Sequence, residues 1–216
     1  MNPEEVHLHP ARNHDAVTLT ALGAGVLIPF IYYGVQIVGA FYNPGYSFVH
    51  QVASELGSNH AARPMVFNIG IVVQGVVTLI ASFGFLRATR RLGVNPSLSL
   101  LIFLALATNG IQMLWAGHFP IPDPRHAGQP PFVIAMFLLP ILLSAGLWRG
   151  SDAILKAYLI ATLTLLAVMT VLASGSVMDT SHLRGLTQRL YTLAVFPVVA
   201  VSAVVLARRY RSVTRL

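Results

Sequence analysis

The chain has 216 residues, of which 55% are hydrophobic and only 10% are charged. Soluble domains carry about 25% charged residues, so this composition excludes a water-soluble globule and indicates an integral membrane protein. The net charge is +7, but the basic residues lie in short clusters at the ends of apolar runs, which excludes a nucleic-acid groove. The chain has no cysteine, which excludes disulfides and cysteine-ligated zinc.

Apolar runs dominate the chain and predict an all-α, polytopic bundle. Each run is close to the roughly 20 residues that a helix needs to cross the hydrocarbon core. The predicted spans are 17–40, 65–86, 98–117, 132–148, 154–173 and 190–207. We therefore expect a six-helix transmembrane domain over 17–207, between a polar cytoplasmic tail at 1–16 and a basic cytoplasmic tail at 208–216.

The polar segment 41–64 separates the first two spans. Ser47 is a suitable cap for a short helix that Gly57 ends. A helix here places His50 and Ser54 on one side and apolar residues on the other. Those apolar residues are Val49, Val52, Ala53 and Leu56. The pattern predicts a short interfacial helix in the first outer loop, with its polar side turned to water or into a cavity.

Basic residues predict the orientation. Six spans place both termini on one side, and ten of the 14 basic residues fall on that side. The other four are Arg63, Arg125, Arg184 and Arg189. The positive-inside rule therefore predicts a multi-pass protein of the cell (inner) membrane with both termini in the cytoplasm.

Polar side chains concentrate on the opposite, outer side. Each outer loop carries at least one histidine and one carboxylate, which is Glu55, Asp123 or Asp179. The strong amides Gln36, Asn68, Asn109 and Gln112 fall in the outer halves of their predicted spans. Since polar groups inside a membrane are costly unless they face a partner or a wet cavity, we expect a polar cavity that opens outward.

The favoured function is binding of membrane lipids through the headgroup, or of another small anionic or zwitterionic ligand, in this cavity. Arg184 and Arg189 lie near the start of the last span, where the helix N-terminus would help them to hold a phosphate. The candidate ligand-binding residues are His50, Ser54, Glu55, Asn68, Asn109, Gln112, Arg184, Gln188 and Arg189.

A second hypothesis is a metal-dependent hydrolase of a lipid or small amphiphile. Histidine and carboxylate can hold zinc with an open water position, although no HExxH pair occurs. The candidate metal ligands are His118, Asp123, His126, Asp179 and His182, and the candidate catalytic residues are Glu55, Asp123 and Ser54. A third hypothesis is a small-solute transporter, for which Gln74 and Pro29 near mid-span are the only indications.

A purely structural interpretation competes with all three. Loop carboxylates often pair with loop arginines, and intramembrane amides such as Asn68, Asn109 and Gln112 can join helices at about 1 kcal/mol each. The loop histidines would then cap helix ends or lie at the headgroup level.

Short motifs on the outer side resemble a known family. They are PGYS at 44–47, SELG at 54–57, NIG at 68–70, Phe119-Pro120 followed by Asp123 and His126, and GLTQRL at 185–190. The chain, from about 17 to 207, resembles the six-span membrane proteins called domain of unknown function 998. The resemblance implies a compact six-helix membrane protein and no particular activity. Its recognisable residues are Ser54, Glu55, Asn68, Asp123, His126, Gln188 and Arg189. A looser similarity to multi-span metal-dependent lipid amidases lacks their paired late histidines.

Overall fold

The computed structural model describes residues 10–126, 130–175 and 177–214, without the side chains of 10–14, 130 and 132, and these residues contain helices and no strand. The long helices are α1 (Pro10–Phe41), α2 (Pro64–Arg91), α3 (Pro96–His118), α4 (Pro130–Trp148), α5 (Ala153–Ala173) and α6 (Arg184–Thr214). Three short 3₁₀-helices cover Ala53–Gly57, Pro124–His126 and Ser181–Leu183. Within these ranges, the predicted all-α class is confirmed.

Five of the long helices can cross a membrane by length and composition. The candidate spans are Asp15–Phe41, Pro64–Arg91, Pro96–His118, Ala153–Ala173 and Ser181–Thr214, the last of which includes the 3₁₀-helix that precedes α6. The described apolar part of α4 is shorter, Val133–Leu147. The protein is therefore a multi-pass helical membrane protein.

Several helices begin where the sequence supplies a suitable first turn. Pro64 and Pro96 open α2 and α3, where the missing proline N–H costs nothing. The Asn95 side chain accepts hydrogen bonds from the backbone N–H groups of Ser97 and Leu98, at 2.9 and 3.2 Å. Asp152 caps α5 in the same way, because it accepts from the backbone N–H of Leu155 at 2.8 Å.

Helices α1 and α6 continue beyond the apolar runs into the segments predicted as tails. Residues 10–16 belong to α1 and 208–214 to α6, whereas residues 1–9 and 215–216 lie outside the described part. The Tyr210 hydroxyl donates to the Asp15 carboxylate at 2.7 Å. This contact joins the first turns of α1 to the last turns of α6, so the two segments pack together.

The predicted interfacial helix from Ser47 to Gly57 is not observed as one helix. Instead, a single turn follows Ser47, whose hydroxyl accepts from the backbone N–H of His50 at 3.2 Å, and the 3₁₀-helix begins at Ala53. Ala53 and Leu56 are almost fully buried. This segment therefore inserts between the long helices, and an extended stretch at Val52 interrupts the helix so that it can do so.

Two ends of the bundle can be distinguished by their contacts. At the loop end, the backbone N–H of Asn59 donates to the Ile121 carbonyl and His50 Nδ1 donates to the His182 carbonyl, so the second and third of the longer loops both contact the first. At the opposite, arginine end, Arg209 reaches the last carbonyls of α4. The loop end carries most of the residues that the sequence singles out.

Candidate functional site

Arg189 on α6 fixes the first loop to the bundle. One guanidinium nitrogen, Nη1, donates to the backbone carbonyls of Phe48, Gln51 and Gly185, at 2.8, 3.0 and 2.9 Å. The other, Nη2, donates to the Tyr46 hydroxyl at 2.6 Å. Burial raises the pKa of Tyr46, and the Arg189 contact opposes that rise only in part. Both terminal nitrogens of Arg189, which is predicted as a ligand-binding residue, are therefore occupied by the protein itself, whereas its Nε is buried without a hydrogen-bond partner.

Neighbouring residues of α6 complete this attachment. The Gln188 side-chain oxygen accepts from the backbone N–H of Ala53 at 2.7 Å. Gly185 lies directly against the loop, since a Cβ there would meet the carbonyl oxygens of Gln51 and Phe48. A larger residue at this position would push the loop away from α6, which accounts physically for the glycine of the GLTQRL motif.

Asn68 on α2 holds the other end of the same loop. Its side-chain nitrogen donates to the Gly57 carbonyl at 3.0 Å, and the residue is buried. A Cβ on Gly57 would collide with the Asn68 side-chain oxygen and come within 2.9 Å of Phe67. Gly57 of the SELG motif and Asn68 of the NIG motif therefore contact each other directly.

A cavity of about 250 Å³ lies beneath this loop, between α1, α2, α3, α4 and α6. Its polar lining comes from the 3₁₀-helix, α3, the second loop and α6. These polar residues are Ser54, Gln112, His126, Gln188, Thr192 and Tyr32. Its apolar lining comprises Ala53, Phe67, Ile71, Met113, Trp115, Ala116, Met136 and Phe196. The cavity thus joins four residues that the sequence singles out, from four separate segments.

Three polar groups in this cavity have unused hydrogen-bonding capacity. The Gln112 side-chain oxygen is buried and has no hydrogen-bond partner. The Ser54 hydroxyl makes no hydrogen bond within the described part of the chain. His126 Nδ1 lies 2.7 Å from the Phe119 carbonyl and must donate to it, so Nε2 of the neutral ring is an acceptor. These groups can bind a ligand that both donates and accepts hydrogen bonds.

Glu55 faces a different recess from its neighbour Ser54. It lines an open cleft of about 680 Å³ with His60 and Arg184. Its carboxylate accepts from the Gln51 side chain at 3.0 Å and from the backbone N–H of Val52 at 3.2 Å. Arg184 Nη2 lies 3.7 Å from the carboxylate and is largely exposed. Thus the structure does not bring Glu55 and Ser54 to one site.

Asp123 is paired within the second loop. Arg125 donates to both of its carboxylate oxygens, at 2.9 and 2.6 Å, which together with the backbone N–H of Arg125 lowers the pKa of Asp123 to about 2. The Arg125 carbonyl accepts from the Trp115 indole at 2.8 Å, and its guanidinium lies 3.9 Å from the centre of the Phe119 ring. These contacts shape the loop that positions His126.

The candidate metal ligands do not gather in the structure. Among residues 10–126, 130–175 and 177–214, no three histidine, aspartate or glutamate side chains come together. His50 Nδ1 donates to the His182 carbonyl at 2.7 Å, and Asp179 accepts from the backbone N–H of Ser181 at 2.8 Å. This bond lowers the pKa of Asp179. His118 stacks edge-on against Phe119.

Most of the intramembrane amides do not form the hydrogen bonds between helices that the purely structural interpretation predicts. Gln36 donates to the Tyr32 carbonyl of its own helix, and its oxygen has no partner. The nitrogen of Asn109 and both amide atoms of Gln74 are also buried without a partner. Among these intramembrane amides, and within the part of the chain that the structure describes, only Asn68 bonds to another segment. Tyr32 and Thr192 also line the cavity and were not predicted as site residues, although Thr192 follows Gln188 by one helical turn.

Comparison with known proteins identifies a family and no relative of established function. A family model described as "Protein of unknown function (DUF998)" matches residues 26–206. No curated protein and no solved structure matches the chain. Since the family model covers most of the chain, including each of the interlocking loop-end motifs, the protein belongs to the DUF998 family.

Proposed function

We propose that this six-span protein binds a small amphiphile with an uncharged polar head in the cavity at its loop end. One observation supports the proposal most. Ser54, Gln112, His126 and Gln188, from four separate segments, line the same apolar-walled cavity. Ligand sites in proteins commonly combine apolar walls with a few convergent polar groups.

The membrane arrangement follows from helix length and charge. α4 has 19 residues and is about 28 Å long at 1.5 Å per residue, close to the roughly 30 Å hydrocarbon core. With α4 as a sixth span, both termini share one side. The excess of arginines there favours the cytoplasm, so the cavity lies at the outer side of the cell membrane. A reporter that is active only in the cytoplasm should therefore be active when it is fused after Leu216.

The lining of the cavity includes polar groups but no arginine, lysine or carboxylate, which favours an uncharged ligand. Arg189 donates to the loop carbonyls and Arg184 faces Glu55 in the adjacent cleft. An anionic headgroup would therefore find no fixed positive charge in the cavity, whereas a hydroxyl or amide head can use the donors and acceptors that are present.

Hydrolysis of the ligand is a second candidate function, favoured by the presence of Ser54 and His126 in one cavity. The Phe119 carbonyl fixes the His126 ring and leaves Nε2 as an acceptor, which is the arrangement a general base needs toward a serine hydroxyl. A fluorophosphonate probe should then label wild type and leave Ser54→Ala unlabelled. An unlabelled wild type would leave binding as the function.

Ligand binding is tested by thermal unfolding of the purified protein in a nonionic detergent. We expect monooctanoylglycerol, a neutral amphiphile, to raise the melting temperature, and octyl phosphate of equal chain length to raise it less. Gln112→Leu should abolish the effect of the neutral amphiphile, whereas Ser144→Ala, at a buried serine that does not line the cavity, should retain it. Equal shifts in both variants would refute the proposed site.

A further inference from the structure

A second cavity, of about 760 Å³, lies at the arginine end of the bundle. It is enclosed by the α2–α3 connection, the start of α3, the end of α4 and the last turns of α6. Its apolar walls include Leu92, Val94, Leu98, Leu206 and Val213. Arg149 and Arg209 supply its charge. The combination of apolar walls with two arginines distinguishes it from the uncharged cavity at the loop end.

The positive charge of this cavity is not neutralised within the described ranges. Neither Arg149 nor Arg209 forms an ion pair there, and no carboxylate lines the cavity. The nearest acidic residue in sequence, Asp152, caps α5 through the backbone N–H of Leu155. An anion that enters the cavity would therefore meet two cations and no competing carboxylate.

The two arginines are held in different ways. Arg209 donates to the carbonyls of Arg149 and Gly150, at 3.2 and 3.0 Å, and to the Ser151 hydroxyl at 3.1 Å. Arg209 is thus a positive charge in a fixed position, and its hydrogen bonds also cap the C-terminal end of α4. The Arg149 side chain is exposed and makes no hydrogen bond or ion pair within the described residues. Its guanidinium is free to bind a ligand.

We propose that this cavity binds the phosphate of an anionic phospholipid, with Arg149 as the direct ligand and Arg209 as a fixed positive charge. A guanidinium matches phosphate oxygens with two parallel hydrogen bonds. The apolar walls suit the first methylenes of an acyl chain, and basic pockets between membrane helices favour anionic headgroups over zwitterionic ones. The site is separate from the cavity of the proposed function.

Native mass spectrometry of the full-length, delipidated protein tests this proposal. Phosphatidylglycerol and phosphatidylcholine with identical acyl chains are titrated separately. We expect the protein to bind one molecule of phosphatidylglycerol more tightly than phosphatidylcholine. Arg149→Gln should raise the Kd of phosphatidylglycerol roughly tenfold, as loss of a charge-assisted contact implies. Arg90→Gln removes the same charge from an exposed residue at this end that does not line the cavity, and should leave the Kd unchanged.

Competition with inorganic phosphate separates the two sources of the phosphate group. A lipid site should retain phosphatidylglycerol in millimolar phosphate, whereas displacement at that concentration would indicate a site for free phosphate and overturn the lipid assignment. Equal Kd values for the two lipids, or equal effects of Arg149→Gln and Arg90→Gln, would overturn the site itself. Unchanged thermal unfolding of Arg149→Gln shows that the variant is folded.

Discussion

Replacement of Arg189 by glutamine should destabilise the protein far more than its position near a surface loop suggests. The arginine donates to the carbonyls of Phe48, Gln51 and Gly185 and to the Tyr46 hydroxyl. Hydrogen bonds to charged groups contribute about 1.5–3 kcal/mol each. Water can replace some of these contacts, because Arg189 is only partly buried. We therefore expect Arg189→Gln to lower the free energy of unfolding by about 3 kcal/mol in total.

The matched control is Arg184→Gln, five residues earlier on the same helix. Arg184 is largely exposed, and its ion pair with Glu55 is 3.7 Å long. Such surface pairs contribute about 0–1 kcal/mol. Thermal unfolding in detergent should show a decrease of about 6–12 °C for Arg189→Gln, at 2–4 °C per kcal/mol, and little change for Arg184→Gln. Equal decreases would refute the structural role of Arg189.

Three further changes test the packing and the electrostatics. Gly57→Ala should destabilise by about 1–3 kcal/mol, measured by thermal unfolding, because its methyl group would overlap the Asn68 side chain. Gln74→Leu should be neutral or stabilising by about 1 kcal/mol in the same assay, because both amide atoms are buried without partners. By NMR titration, Asp123 should show a pKa of about 2, rising toward its ordinary value in Arg125→Gln.

Each of these predictions has a clear contrary result. Gly34→Ala is the control for Gly57→Ala, since nothing lies within 4 Å of a Cβ at Gly34, and equal losses would contradict the close contact. A strong destabilisation by Gln74→Leu would mean that its amide has a partner. Because the pKa of Asp123 is lowered by folding, its contribution to stability is present at neutral pH and is lost only as the pH falls toward 2. A normal pKa would refute the Arg125 pair.

The bundle and the polar loop end could be predicted from the sequence because both depend on local composition. Apolar runs determine where helices cross, and proline or asparagine before a run determines where α2 and α3 begin. The path of residues 47–57 could not be predicted in this way. Helical spacing places Ala53 and Leu56 on one face, but their burial between the long helices required an extended residue at Val52, next to the Ala53 N–H that bonds Gln188 of α6.

The role of Arg189 could not be predicted for a related reason. A sequence shows which side chains can donate hydrogen bonds, but it does not show which backbone carbonyls will lie opposite them. The carbonyls that Arg189 bonds come mainly from the first loop, 138 and 141 positions away along the chain. Ser54 and Gln188, predicted as ligand-binding residues, and His126, predicted as a metal ligand, line one cavity. Glu55 and Arg184 line a different cleft, and Asp123 is paired with Arg125.

The motif residues and the ligand-binding groups are partly separate in this structure. Asn68, Gly185 and Arg189 hold the loop in place, whereas Gln112, which lies outside the motifs, carries the buried acceptor without a partner. Asn68, Gly185 and Arg189 can therefore be understood as a scaffold that shapes the cavity, whereas the motif residues Ser54, His126 and Gln188 line it together with Gln112. On this argument, Gln112→Leu should remove ligand binding with little loss of stability, whereas Arg189→Gln should remove both. If Arg189→Gln remained stable and lost binding alone, the arginine would belong to the ligand site and not to the scaffold.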